Sequence, residues 1–237
     1  MNGYIHSFQS MGAADGPGLR CVVFMQGCPL RCLYCHNPDS WESSLGAVYT
    51  AREIVSRALR FKPYFGKTGG VTVSGGEPLL QAEFVCELFK LLHKEEIKTA
   101  LDTSGAVSSD HIKPLLEHTD LVICDIKFPT QQQYKKYSGG NLDTVLKFLT
   151  LVQELDIPLW VRHVIVPGLT DSKDNIRQIA AIAKSFSNLK KIELLPFRKL
   201  CLSKYEQMGI EFSLADVPEC PPETLKSLNE TLDKLLK

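Results

Sequence analysis

The chain has 237 residues, in which 27 Lys and Arg balance 27 Asp and Glu, so its formal net charge is zero. It has no basic field for nucleic acid, no polybasic run for a membrane surface, and no apolar stretch near the roughly 20 residues of a spanning helix. The first residues, MNGYIHSFQS, lack the charged start and apolar core of a signal peptide. These properties predict a cytoplasmic protein whose partner is a small molecule or a defined protein surface.

Short apolar runs alternate with segments of helical periodicity from Arg20 onward. The clearest helical segment places Phe84, Leu88 and Leu91 on one face. The apolar runs predict six strands, at Arg20–Gln26, Val71–Ser74, Thr99–Asp102, Leu121–Ile126, Leu159–Val166 and Ile192–Leu195. The periodic segments predict six helices, at Ala51–Leu59, Leu79–His93, Asp110–Glu117, Leu142–Gln153, Ile176–Lys184 and Pro222–Leu236.

This alternation of strands and helices predicts an α/β fold with a parallel sheet. About six βα units are too few for a complete eight-stranded barrel. We therefore expect a single domain built as an open, partial (β/α)6 barrel with parallel strands. The barrel is expected over about residues 15–200, and residues 201–237 form a C-terminal extension and helix. In such folds the active site lies at the carboxyl ends of the strands.

The run GCPLRCLYCHN, which follows the first predicted strand, contains three cysteines with the spacing C-x3-C-x2-C: Cys28, Cys32 and Cys35. A [4Fe–4S] cluster normally takes four cysteine ligands, so three neighbouring cysteines would leave one iron open. A structural zinc site is the alternative, but it needs four ligands, and the sequence has no second C-x2-C. A disulfide framework is disfavoured in a cytoplasmic protein. The other five cysteines read as buried small hydrophobes.

Polar residues follow the later predicted strands at the same edge of the sheet. They are Gly75, Gly76 and Glu77 after the second strand, Asp102 and Thr103 after the third, Asp125 and Lys127 after the fourth, Arg162 within the fifth and Arg198 after the sixth. Singly, each has a simpler interpretation as a tight turn, an N-cap or an ion pair. As a set, they favour a polar ligand held beside the cysteine loop.

The cysteine loop and the runs VTVSGGEPLL, LDTSG, DLVICDIK, VRHVIVPG and KIELLPF resemble the radical S-adenosylmethionine superfamily. Within it, they are similar to the glycyl-radical enzyme activases that serve pyruvate formate-lyase. The resemblance extends from about His6 to Gly209. It implies that the three cysteines bind three irons of a [4Fe–4S] cluster. The fourth iron would then bind the amino and carboxylate groups of S-adenosylmethionine.

The resemblance also assigns roles to the other motif residues. Tyr34 and His36 would lie beside the adenosyl group. The remaining cofactor-binding positions would be Gly75, Gly76, Glu77, Asp102, Thr103, Asp125, Lys127, Arg162 and Arg198. Three of them, Asp102, Thr103 and Asp125, are also candidates for a monovalent-cation site. Asp15, in the run DGPG, would help to receive the partner's glycine loop, although a plain Pro-Gly turn is the simpler interpretation.

The implied reaction is reductive cleavage of S-adenosylmethionine to methionine and a 5′-deoxyadenosyl radical. That radical would take a hydrogen atom from the Cα of one glycine in pyruvate formate-lyase. The implied electron donor is reduced flavodoxin or ferredoxin, and we expect a monomer that docks transiently. Two other hypotheses remain open at this point: a radical enzyme with a different substrate, and a metal-binding or electron-transfer module without catalytic activity.

The sequence departs from the activase pattern at two positions. Arg198 stands where the family usually has histidine, and Cys201 stands where it usually has glycine. A fourth-ligand role for Cys201 would block the open iron, so we do not expect it. Some activases of other glycyl-radical enzymes carry an inserted ferredoxin-like domain. The interval from Trp41 to Thr68 is too short for that domain and contains no cysteine, which points to pyruvate formate-lyase as the partner.

Overall fold

A computed structural model describes residues 1–236, and its strands form one eight-stranded sheet. The strands are β1 (Asn2–Gly12), β2 (Arg20–Met25), β3 (Ala47–Thr50), β4 (Gly70–Gly75), β5 (Lys98–Thr103), β6 (Leu121–Asp125), β7 (Leu159–Ile165) and β8 (Leu189–Pro196). The helices are α1 (Ala51–Leu59), α2 (Ala82–Lys94), α3 (Ile112–Leu116), α4 (Gln131–Ser138), α5 (Leu142–Glu154), α6 (Lys173–Lys184), α7 (Leu202–Met208) and α8 (Pro222–Leu236).

The sheet order is β3-β1-β2-β4-β5-β6-β7-β8, and β2 with β4 to β8 pair in parallel. These are the six strands that the sequence predicts. Over residues 1–236 the sheet begins at β3 and ends at β8, with no pairing between the two. The open, partial α/β barrel is therefore confirmed.

Two antiparallel strands extend the sheet, and the sequence did not predict either. β1 pairs antiparallel with β2 on one side and with β3 on the other. The β1 ladder has register shifts, and β3 is mostly exposed. Neither strand is a continuous apolar run: β3 is the exposed edge strand, and β1, which pairs on both sides, has only three buried positions. The six predicted strands are parallel as expected, and the two additional strands make only this edge of the sheet antiparallel.

The helices begin close to their predicted positions where capping residues are present. The α1 helix starts with a capping box, in which Thr50 accepts from the Glu53 backbone N–H and Glu53 accepts from the Thr50 N–H. Ser172 accepts from the Asn175 N–H, so α6 begins at Lys173, three residues before the predicted start. The α4 and α7 helices were not predicted. No helix within residues 1–236 is long and apolar enough to cross a membrane.

The two faces of the parallel sheet differ in character. The main hydrophobic cluster lies between the sheet and the helices. A second, small cluster of Ala100, Leu121 and Ile123, with Trp160 packed against it, lies apart from the first. Strand side chains alternate between faces, so these residues share the barrel interior with the polar residues two positions further along their strands. The interior is thus apolar at its amino end and polar at its carboxyl end.

Candidate functional site

The cysteine loop is fixed to its surroundings by backbone hydrogen bonds. The N–H groups of Arg31 and Leu33 donate to carbonyls in the last turn of α4, at Ser138 (2.8 Å) and Tyr137 (3.0 Å). The Cys28 N–H donates to the Trp41 carbonyl at 3.1 Å. Both ends of the loop are therefore anchored, and the three cysteine side chains remain partly accessible between them.

The three thiols are free and influence one another. Burial raises the pKa of Cys28 to about 12, with contributions from Glu77, Cys32 and Cys35. Burial likewise raises the pKa of Cys32 to about 11, against the opposing charge of Lys127. Metal ligation needs thiolates, and the positive charge of an iron cluster is what would ionise these thiols. The donor set therefore fits a [4Fe–4S] cluster.

The geometry of the thiols also bears on the kind of metal site. Within residues 1–236, no three His, Cys, Asp or Glu side chains converge on a point where they would hold one metal ion. In a cluster, each cysteine binds a different iron, so the three sulfurs need not converge on one point.

Cys201 is fully buried at the start of α7. Burial is the main cause of its raised pKa, and the charge of Cys35 adds to the rise.

The GGEP loop packs directly on the backbone that leads into the cysteine loop. The Gly76 N–H donates to the Met25 carbonyl at 2.9 Å, and the Glu77 N–H donates to the Gly27 carbonyl at 2.8 Å. A Cβ atom on Gly76 would lie 2.2 Å from the Gly27 oxygen, and one on Gly75 would lie 2.5 Å from the Met25 nitrogen. The two adjacent glycines are therefore required by this close approach, and not only by a turn.

The Glu77 carboxylate joins the GGEP loop to the LDTSG segment. It is completely buried and accepts four hydrogen bonds. The donors are the Leu79 N–H (3.0 Å), the Thr103 hydroxyl (2.5 Å), the Ser104 N–H (2.9 Å) and the Ser104 hydroxyl. These donors engage both carboxylate oxygens, and the cofactor contact that the resemblance implies for Glu77 stays a prediction. Its side chain braces two loops of the site.

Asp102 and Asp125 lie at the carboxyl end of the barrel interior. Burial raises the pKa of Asp102 to about 6, and the charge of Asp125 adds to the rise. Arg162, at 3.4 Å, and a 2.7 Å hydrogen bond from Ser74 act in the opposite direction. Two nearby carboxylates of this kind favour a bound cation. Thr103, the next residue, points to the other face and contacts Glu77 through its hydroxyl.

Lys127 connects the carboxylates to the cysteine loop. Its Nζ atom lies 2.5 Å from the Asp125 carboxylate and 6.0 Å from the centre of the Tyr34 ring. Burial lowers the pKa of Lys127, but the charges of Asp125, Cys32 and Tyr34 and the hydrogen bond to Asp125 together outweigh it, so the pKa is raised. The Tyr34 hydroxyl is buried and has no hydrogen-bond partner in the described chain. A fixed cation and an aromatic ring thus border the cysteine loop.

The DGPG segment lies over the polar end of the barrel interior. The Arg162 guanidinium donates to the Ala14 carbonyl, and the Thr72 hydroxyl donates to the Asp15 carbonyl at 2.7 Å. Burial raises the pKa of Asp15, whereas Arg162 and Arg20 lower it. Asp15 is half-buried, and Arg162 is the residue that ties its segment to β7.

The side chain of Arg198 does not point into the site. Its guanidinium pairs with Glu219 at 3.0 Å, and both side chains are more than 40% exposed. The Arg198 carbonyl instead accepts a 2.7 Å hydrogen bond from His36 Nε2. A partner 21 residues along the chain holds the side chain outward in this geometry, and the cofactor-binding role of Arg198 stays a prediction. Its backbone holds the His36 ring.

Two residues of the site were missed by the sequence interpretation. His163 is buried on β7, where it bonds the Ile126 carbonyl through Nδ1 (2.7 Å) and Asn175 through Nε2 (2.8 Å). It fixes the strand end that carries Asp125. Burial raises the pKa of Cys35, and the neighbouring Trp41 side chain opposes that rise. His163 directly follows Arg162 on its strand and therefore points to the opposite face of the sheet, and this alternation could have identified it. Trp41 follows the three cysteines in the sequence, but no pattern marked it as a residue of the site.

Comparison with known proteins identifies the class that this fold and site define. Residues 22–180 match the family model of the Radical SAM superfamily. The structure of SuiB from Streptococcus suis bound to S-adenosylmethionine superposes with a TM-score of 0.66 at 15% identity, over 89% of this chain and 45% of that one. The chain therefore belongs to the radical S-adenosylmethionine superfamily.

Two relatives identify the family to which the chain belongs within this superfamily. A pyruvate formate-lyase-activating enzyme of Clostridium pasteurianum is 47% identical over 236 residues, which cover 99% of each protein. One from Staphylococcus aureus (strain USA300) is 41% identical over 235 residues, covering 96% of this chain and 94% of that protein. Within the superfamily, the chain belongs to the pyruvate formate-lyase-activating enzymes.

Proposed function

We propose that the chain installs the glycyl radical on pyruvate formate-lyase. Its cofactors are a [4Fe–4S] cluster and S-adenosylmethionine. Together, when bound, they supply one-electron cleavage to methionine and a 5′-deoxyadenosyl radical, which removes a hydrogen atom from the Cα of one glycine of the partner. The observation that carries this proposal is the meeting of the free-thiol loop, the GGEP loop and the Asp102–Asp125 pair at one end of an open barrel.

The residues of the chain supply binding, orientation and exclusion of water. Cys28, Cys32 and Cys35 hold the cluster. Gly75 and Gly76 bring backbone close to it, and Glu77 keeps that backbone fixed. Tyr34 and His36 border the adenosyl group.

Charged side chains of the site are placed to pair with the oppositely charged groups of the cofactor. Asp102 and Asp125 attract the ammonium group or a monovalent cation, which the backbone of Thr103 also borders. Lys127 and Arg162 lie where they can balance a carboxylate. The ion pairs of these two cations with Asp125 and Asp102 keep the site preorganised before the cofactor binds.

Asp15 and its segment receive the glycine loop of the partner. Two of its backbone carbonyls are bonded to the barrel interior, which leaves the Asp15 carboxylate for the partner. A radical formed here would attack water or protein, so a segment that closes over the mouth serves to exclude side reactions.

We further propose reduced flavodoxin or ferredoxin as the electron donor, a monomeric state and a cytoplasmic location. Eight free cysteines suit a reducing compartment. Residues 1–237 would act as one radical SAM domain, with the partial barrel at about 15–200 and the extension at 201–237. The extension contributes directly, because the Tyr205 hydroxyl donates to the Cys35 carbonyl at 3.2 Å.

Anaerobic reconstitution tests the proposal. The reconstituted protein is mixed with S-adenosylmethionine, a reductant and pyruvate formate-lyase, and 5′-deoxyadenosine and the EPR spectrum are measured. We expect a glycyl-radical signal that depends on all components. Cleavage without that signal would assign a different substrate, and failure to assemble a cluster would leave a non-catalytic module. A variant with Cys28→Ala is the control without a complete ligand set.

A further inference from the structure

Trp41 presents an unused hydrogen-bond donor next to the cysteine loop. Its indole Nε1 atom is fully buried, and no group in the described chain accepts its proton in ordinary hydrogen-bond geometry. A buried, unpaired N–H is destabilising, so such a group usually has a purpose or a missing partner.

The indole ring is held in place from several sides. The Arg31 guanidinium lies over its face at 4.7 Å, and the Tyr205 ring meets it edge-on at 6.2 Å. Tyr205 also donates to the Cys35 carbonyl. The Trp41 carbonyl accepts from the Cys28 N–H, so its backbone is bound to the first cysteine, and Tyr205 joins its ring to the backbone of the third. A ring fixed in this way cannot easily turn its N–H elsewhere.

We propose that Trp41 is a positioning residue that donates an N–H···S hydrogen bond to the Cys35 sulfur of the bound cluster and thereby raises its reduction potential. The inference rests on the proposed function, because it requires a cluster at the three cysteines. A reduced cluster carries one more negative charge than an oxidised one, so a donor to its sulfur stabilises the reduced form more. The donor makes it easier to load the electron that the reaction consumes.

Replacement of the indole N–H tests the inference. Trp41→Phe is reconstituted, its iron and sulfide are counted, and its midpoint potential is measured by following the EPR signal of the reduced cluster. We expect a more negative potential than in wild type at equal cluster content. Trp160→Phe is the matched control, because Trp160 is the other tryptophan of the chain and lies at the far end of the barrel interior. Its potential should equal that of wild type.

The Trp160→Phe background allows two further measurements, since Trp41 is then the single tryptophan. Benzothienylalanine can replace it residue-specifically, which keeps the ring size and removes the N–H. If Trp41→Phe does not assemble a cluster, the midpoint potential is measured on the benzothienylalanine variant instead. Tryptophan labelled with ¹⁵N in the indole ring should show a coupling to the reduced cluster by electron–nuclear double resonance.

The outcomes separate this inference from the proposed function. A more negative potential in the variants and a measurable ¹⁵N coupling support it. Unchanged potentials at full cluster content, or the absence of coupling, would overturn the role of Trp41 while leaving the activase intact. A wild-type protein that binds no cluster would instead count against the proposed function, and with it against this inference.

Discussion

The buried carboxylate of Glu77 gives the sharpest test of how the site is held together. Glu77→Gln keeps the shape of the side chain but replaces one acceptor oxygen by an NH2 group. Each carboxylate oxygen accepts one backbone N–H, from Leu79 on Oε1 and from Ser104 on Oε2. Hydroxyl groups can reverse their hydrogen bonds, but backbone N–H groups cannot. Either orientation of the amide therefore places two donors face to face.

The expected cost follows from these contacts. A buried N–H without an acceptor costs about 1–3 kcal/mol. The remaining hydrogen bonds weaken, because bonds to a charged acceptor contribute about 1 kcal/mol more than neutral ones. The lower cost of burying a neutral amide offsets part of this loss. We expect the free energy of unfolding to fall by about 2–4 kcal/mol.

The measurement is urea unfolding of the cluster-free protein at neutral pH. Glu230→Gln, on the exposed face of α8, is the matched control and should change stability by less than about 0.5 kcal/mol. If Glu77 bound the cofactor directly instead, the variant would weaken S-adenosylmethionine binding and leave the stability of the cluster-free protein unchanged. A variant as stable as wild type would refute the bracing role.

Three further predictions concern individual side chains. Burial lowers the pKa of His163 from 6.5 to about 4; as pH falls through that range the unfolded chain gains a proton there that the native one does not, so this residue should lower stability by about 3 kcal/mol. Asp102, whose pKa is raised to about 6, acts in the opposite direction, so the His163 contribution is read as the difference between wild type and His163→Gln in urea unfolding. In His163→Gln, that pH dependence should disappear. Gly76→Ala should displace the Gly27 backbone and lower the iron and sulfide bound on reconstitution severalfold, since Cβ would lie 2.2 Å from the Gly27 oxygen. Arg198→Ala should leave S-adenosylmethionine affinity within about twofold, because an exposed ion pair contributes about 0–1 kcal/mol.

Each of these predictions has a contradicting outcome. A His163→Gln variant that loses stability in acid as steeply as wild type would assign the dependence to other groups. Full cluster content in Gly76→Ala would show that the loop backbone can move at little cost. A large loss of cofactor affinity in Arg198→Ala would mean that its side chain turns inward when the cofactor binds; Glu219→Gln is the control for loss of the ion pair alone.

The parallel strands were predictable from sequence because burial on both faces makes them continuous apolar runs. The β1 strand has few buried positions and pairs antiparallel at an edge, so its sequence carries no such run. The α4 helix, QQQYKKYS, buries only Tyr134 and Ser138 and has no apolar stripe. It nevertheless matters to function, since the carbonyls of its last turn hold the cysteine loop.

The residues of the site were predictable from the sequence, but the contacts that their side chains make were not. Spacing along the chain identified the three cysteines and the strand-end residues. Spacing cannot say which way a side chain turns once other donors compete for it. Glu77 turns to Ser104 and Thr103, and Arg198 turns to Glu219; both contacts join residues more than 20 positions apart. The unpaired N–H of Trp41 likewise emerges only when the loop is folded.

Isotope transfer tests the central claim most directly. Pyruvate formate-lyase is prepared with glycine deuterated at Cα and activated by the reconstituted protein, and the mass of the 5′-deoxyadenosine is measured. Direct removal of the glycine hydrogen predicts one deuterium in 5′-deoxyadenosine, in step with growth of the glycyl-radical EPR signal. A radical signal accompanied by unlabelled 5′-deoxyadenosine would contradict the account, because the hydrogen would then have come from elsewhere.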